Sequence, residues 1–146
     1  MDYSELYGIA KEARKNAYAP FSGFRVGAAL LTEEGRVYTG VNVENSSYGA
    51  TICAERTAFV KAISEGVRRF SAIAVSAGEE EALPCGICRQ FMFEFAPDLT
   101  VITAGTGPDG EEMLRIRPLG ELLPEGFRLA PEESTGDEGR KEGDKE

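Results

Sequence analysis

Apolar positions set the first element of the chain. Leu6, Ile9, Ala10, Ala13 and Ala17 recur at three-and-four spacing, with Glu5, Lys11, Glu12, Arg14 and Lys15 elsewhere around the wheel. Residues 2–18 are therefore predicted to form an amphipathic helix, stopped by Pro20. The period then changes. Residues 26–31 and 37–43 read as two strands of a hairpin, with Glu33-Glu34-Gly35 as its turn. The first of these runs is small and apolar throughout, as expected of a strand covered on both faces. Residues 46–51 read as a loop and 52–63 as a second helix that stops at Gly66. Residues 70–77, with Ile73-Ala74-Val75 at their centre, form a third buried strand, and Glu79-Glu80-Glu81 an exposed loop whose charges are solvated. Residues 86–95 form a third helix. Its Phe91, Met92, Phe93 and Phe95 are apolar on more than one side, which points to burial on several faces. In so small a domain this favours a contact with another subunit. Residues 100–104 and 113–117 complete the strands, joined by a Gly-Pro-Asp-Gly turn, and 119–127 close the pattern. Helices alternating with strands imply one α/β domain, a three-layer α/β/α sandwich around a five-stranded mixed sheet.

Composition adds a boundary and removes some partners. From residue 131 to 146 nothing is strongly apolar, and seven acids face three bases. Such a segment cannot bury enough surface to offset its ordering entropy. The expected organisation is one folded domain over 1–130 and an acidic, disordered tail over 131–146. The formal net charge of −9 argues against nucleic acid as a partner, because that affinity rests on Lys and Arg neutralising phosphates. No apolar stretch approaches the ~18 residues of a membrane span, and no basic start with an apolar run suggests a signal peptide. The expected partner is a small molecule.

Cysteine usage changes the picture most. All three cysteines fall in Cys53-Ala54-Glu55 and Pro84-Cys85-Gly86-Ile87-Cys88, and the chain has no histidine. Structural zinc sites close with four protein ligands, whereas catalytic ones use three and leave one position to water. Glu55, two residues after a ligand, is poorly placed to bind the same ion but can reach that water. The alternatives are buried filler, a redox Cys-x-x-Cys at a helix start, and a closed structural site completed by a carboxylate. Cys53 and Glu55 have no task in a dithiol oxidoreductase, so the full set favours a metal. Both residues fall in the first turn of the second helix, where unpaired N–H groups favour a thiolate. Arg56 stands beside the cluster, either in a surface salt bridge or offsetting its charge. At the end of the second strand Asn42 and Glu44 share a face. Both can accept hydrogen bonds from vicinal hydroxyls, or they are a solvated strand end.

Cys-Ala-Glu followed by Pro-Cys-x-x-Cys resembles the all-cysteine version of the zinc nucleobase deaminase pattern. With Tyr18 to Ala29, Asn42-Val43-Glu44 and the closing Leu-Gly-Glu-Leu-Leu-Pro-Glu-Gly-Phe, the chain more closely resembles the small homotetrameric cytidine deaminases. The resemblance covers residue 2 to about residue 127. It implies one Zn²⁺ per chain on Cys53, Cys85 and Cys88, with Arg56 donating to the sulfurs. It implies Glu55 as the proton carrier, and Asn42 and Glu44 on the ribose hydroxyls with Phe24 against the nucleoside. The Ala54 N–H and the Leu83 carbonyl would bind the base edge, and Tyr48 and Phe127 would reach neighbouring sites in a homotetramer. The implied reaction is deamination of cytidine and deoxycytidine in pyrimidine salvage, in the cytoplasm. Two other readings are deamination of a related aminopyrimidine nucleoside such as blasticidin S, and a non-enzymatic zinc-binding module.

Overall fold

The computed structural model describes residues 1–129; the acidic segment 131–146 lies outside the described residues. Helix α1 (Tyr3–Ala13) opens on a capping box. The Asp2 carboxylate accepts from the Glu5 N–H at 2.8 Å and the Glu5 carboxylate accepts from the Asp2 N–H at 3.1 Å, which satisfies two donors that a helix start otherwise leaves open. The helix ends earlier than its apolar spacing predicts. Arg14–Asn16 tighten into a 3-10 turn and Ala17 is already extended. The competing demand is strand-like pairing: the Tyr18 N–H donates to the Asn42 carbonyl at 3.0 Å and the Glu44 N–H to the Tyr18 carbonyl at 2.8 Å.

Strands β1 (Gly27–Thr32) and β2 (Val37–Val41) form the predicted hairpin, turning at Gly35 with φ 94°. There follow α2 (Ala54–Ser64), β3 (Phe70–Ser76), α3 (Gly86–Phe95), β4 (Thr100–Thr106), β5 (Glu112–Pro118) and the short α4 (Leu119–Leu122). The sheet runs β2-β1-β3-β4-β5, with β3 and β4 parallel and every other pair antiparallel. This is the expected five-stranded mixed sheet.

Alternation along the strands sorts the core into two layers. Leu6, Tyr7 and Ala10 of α1 pack on Ala29, Ala72, Ala74 and Ile102. On the opposite face Ala58, Phe59 and Ala62 of α2, with Cys88 and Met92 of α3, pack on Ala28, Leu30, Ile73 and Val75. Helix α2 lies very close to β2 at its start, since a Cβ on Gly40 would collide with the Ala54 carbonyl oxygen and the Ala58 backbone. That close approach sets where Cys53 enters the site.

Two expectations can be set against the contacts found. The aromatics of α3 pack in part on their own domain: Phe91 and Phe95 lie 6.3 and 6.2 Å from the Phe59 ring, and Phe93 packs on the same core. Phe91, Phe93 and Phe95 each stay only half-buried in the single chain. Glu81 is not a solvated loop charge. Its carboxylate accepts from the Thr103 hydroxyl at 2.6 Å, Arg115 at 2.8 Å and Arg117 at 3.0 Å. Arg115 and Arg117 stand two apart on one face of β5, so the 79–84 loop is fastened to the sheet four residues before Cys85. Among the described residues, no helix is long and apolar enough to cross a membrane.

Candidate active site

Two helix starts and one strand end meet at the site. Val43 exchanges both backbone hydrogen bonds with Ile52, each at 3.0 Å, on one side, and bridges Tyr18 on the other. The pairing places the 42–44 segment between the 18–26 loop and the residue before Cys53. Cys53 is the N-cap of α2 and Cys85 the N-cap of α3; each is extended and neither caps with its side chain. Their carbonyls start the helices, accepting from Thr57 at 3.0 Å and Arg89 at 2.9 Å, so both sulfurs are left for other work. Cys88, one turn into α3, is fully buried.

All three cysteines are free, and their sulfurs lie within 4.8 Å of one another. Tetrahedral zinc with Zn–S near 2.3 Å separates its sulfurs by about 3.8 Å, so one ion fits this donor set. Hydrogen bonding from Cys88, then the Arg56 guanidinium, holds the Cys53 thiol down at about 5 against the effect of burial. Cys88, donating to Cys53 and buried, is pushed well up. Arg56 donates to Cys53 Sγ at 3.7 Å. Burial works against its charge, but the two sulfurs hold its pKa above the ordinary value. Three thiolates on one divalent ion carry an excess negative charge, which this cation and the two helix starts offset.

Glu55, the second residue of α2, is only 4% exposed. Burial pushes its carboxyl up to about 7; the neighbouring Cys53 charge adds to this, while its own backbone N–H and Arg56 oppose it. A carboxyl held near neutrality can both take and give a proton at working pH. Ala54, buried at the same helix start, carries one of the N–H groups that the helix leaves unpaired.

The remaining apolar residues expected at the site are open to solvent. Phe24 is 45% exposed, Leu83 exposed, and Tyr48 and Phe127 are 81% and 63% exposed. Asn42 and Glu44 do share a face, but both face the 18–26 loop and are partly occupied by it. Asn42 Oδ1 accepts from the Val26 N–H at 2.9 Å, and its Nδ2 donates to the Phe24 carbonyl at 2.7 Å. Glu44 Oε1 accepts from the N–H groups of Phe21 and Ser22 at 2.9 and 3.1 Å. Tyr48 begins a 3-10 turn and meets the Phe21 ring edge-on at 6.4 Å. The Phe127 carbonyl accepts from Gln90 Nε2 at 3.2 Å, which ties the closing segment to α3.

Arg89 belongs to this frame and was missed in the sequence. Its Nε donates to the Pro84 carbonyl at 2.7 Å and its Nη1 to the Leu122 carbonyl at 2.8 Å. An arginine one residue past the last cysteine was the available signal.

Comparison with known proteins agrees with this site. Residues 1–104 match the model of the cytidine and deoxycytidylate deaminase zinc-binding region. A cytidine deaminase of Halalkalibacterium halodurans is 48% identical over 128 residues, 87% of this chain and 95% of the relative. Another, of Sporosarcina psychrophila, is 56% identical over 96 residues, 65% of this chain and 71% of the relative. The crystal structure of cytidine deaminase from Burkholderia pseudomallei superposes with a TM-score of 0.79 at 45% identity, covering 87% of this chain and all of that one. With these matches, the sheet with helices on both faces and the three clustered thiols beside a buried carboxyl are those of a zinc hydrolase of the deaminase class. The chain belongs to the cytidine and deoxycytidylate deaminase family, and its cofactor is zinc.

Proposed function

We infer that the protein catalyses the hydrolytic deamination of cytidine and deoxycytidine, giving uridine and deoxyuridine with release of ammonia. The observation that carries this reading is the buried Glu55 carboxyl, poised near neutrality two residues beyond Cys53 of a three-cysteine cluster. Zinc on Cys53, Cys85 and Cys88 would supply Lewis acidity and lower the pKa of water to about 7. Glu55 takes a proton from water and delivers it to N3 of the pyrimidine as oxygen adds to C4. The same carboxyl carries the next proton to the exocyclic amine, the C4–N bond breaks, and ammonia leaves. The Ala54 N–H and the Leu83 carbonyl hold the base edge, and Phe24 lies against the nucleoside. Asn42 and Glu44 take the ribose hydroxyls, with Glu44 on the 3′ position. That last assignment favours a nucleoside over a free base or a strand with a 3′ phosphodiester.

The active form we propose is a homotetramer, in which Tyr48 and Phe127 reach neighbouring sites. Its support is the exposure of Phe24, Tyr48, Leu83, Ile87 and Phe127, large apolar side chains left open in the single chain, since exposed apolar surface marks association. Three free thiols fit the reducing conditions of a cytoplasm. Ultraviolet assay of cytidine across a dilution series, with light scattering on the same samples, tests both proposals. Turnover with a multimeric mass is expected; no turnover, or full activity as a monomer, would contradict one or the other.

A further inference from the structure

The 18–26 loop carries a hydroxyl that none of the roles above uses. Ser22 Oγ–H donates to Glu44 Oε2, and the same oxygen accepts from the Phe24 N–H at 3.0 Å. Gly23, with φ 72°, lets the chain turn back so that Phe24 reaches it. Phe24 is thereby held on both sides of its backbone, by Ser22 at the N–H and by Asn42 at the carbonyl.

The bonds around Glu44 leave a definite remainder. A carboxylate offers about four lone-pair sites. The Phe21 and Ser22 N–H groups occupy two on Oε1, and the Ser22 hydroxyl occupies one on Oε2. One site is left to accept from a ligand, and its direction is fixed by the three bonds already made. The Asn42 amide, with one N–H and one lone pair engaged, keeps one of each. Without the Ser22 hydroxyl, Oε2 would be free to rotate towards water, and the Phe24 N–H would lose its acceptor.

We propose that Ser22 is a positioning residue for substrate specificity, its hydroxyl aiming the free lone pair of Glu44 at the sugar and coupling that aim to the ring of Phe24. The proposal rests on the reading that Glu44 takes the 3′ hydroxyl. The same hydrogen bond is the foremost reason that the Glu44 carboxyl sits below its ordinary value, with the backbone N–H groups of Phe21 and Ser22 adding to it against desolvation. Loss of Ser22 should therefore move the group's protonation to higher pH as well as loosen its direction.

The test compares kcat/KM for 2′-deoxycytidine and 2′,3′-dideoxycytidine, which differ only at the 3′ hydroxyl, in zinc-loaded protein. Parent, Ser22→Ala, Ser22→Thr and Glu44→Ala are measured across pH, with zinc content and mass checked for each. Ser22→Ala should lower the ratio of the two constants about tenfold, the size expected when a charged hydrogen bond is misdirected. Ser22→Thr, which keeps the hydroxyl, should restore most of it. In Ser22→Ala the decline of the ratio on acidification should also begin at a higher pH than in the parent. Equal losses on both substrates, or an unchanged ratio and pH profile, would make Ser22 a loop staple only and overturn the proposal. Should Glu44→Ala leave the ratio at its parent value, the sugar assignment of Glu44 falls, and the role of Ser22 falls with it.

Discussion

Glu55 and Glu44 are the same residue type, eleven positions apart, and the fold drives them in opposite directions. Glu55 is buried beside a thiolate and pushed up to about 7. Glu44 is half-buried, receives three hydrogen bonds from the 18–26 loop, and is held low. Two carboxyls separated in this way suit the different work proposed for them, proton exchange for Glu55 and sugar binding for Glu44. The surroundings differ in the same sense. Glu55 lies inside a single chain at 4% exposure, whereas the aromatics proposed for the sugar end, Phe24, Tyr48 and Phe127, are exposed.

Removing the proton carrier should have the largest effect. Glu55→Gln keeps the fold and the zinc but is expected to lower kcat by at least 10²–10⁴-fold, roughly the range of general acid–base help. Near-normal turnover with one zinc per chain would assign the proton to another group.

At the opposite end, Glu44→Ala should cost kcat/KM on cytidine about 10–100-fold, the size of a lost charged hydrogen bond. Free cytosine, which lacks the sugar, should change little. Because remote binding energy can act at the reacting centre, part of the loss should fall on kcat. Equal losses on both substrates would mean that Glu44 acts only through the loop it holds.

The opposed titrations also predict a stability difference in zinc-free protein. A carboxyl raised in the fold stabilises it while protonated, so this contribution is complete below 4.5, the ordinary value, and is lost as pH rises through about 7. Zinc-free Glu55→Gln should match the parent in acid and exceed it above neutrality, by no more than about 3 kcal/mol. Denaturant midpoints across pH measure this. A difference independent of pH would show that burial does not govern Glu55.

The smallest effect belongs to the rim. Tyr48→Ala should raise KM for cytidine a few-fold with kcat nearly kept, and only where scattering shows a multimer. An equal change in a monomeric sample would place Tyr48 in its own chain's site.

The two ends also differ in how much of them the sequence revealed. Cys53, Glu55, Cys85 and Cys88 lie in two short motifs, and local spacing carries straight into geometry when each motif starts a helix. The order of elements was readable for the same reason, since the period of apolar positions is a local property. The sugar end depends on distant pairing. That Glu44 would be held by Ser22, twenty-two residues back, follows only once Tyr18 has left the helix to pair with Val43. Glu81 was misread for want of knowing that β5 returns Arg115 and Arg117 beside it. The contact of Phe59 with the α3 aromatics was hidden in the same way, because the two lie far apart in the chain.

The most direct measurement is zinc content and cytidine turnover on one purified sample, before chelation, after it, and after zinc is returned. The account predicts one zinc per chain, loss of ultraviolet-detected deamination as the metal is removed, and recovery on reloading, with Cys85→Ala lacking both metal and activity. Deamination that persists in protein shown by elemental analysis to contain no zinc would contradict it.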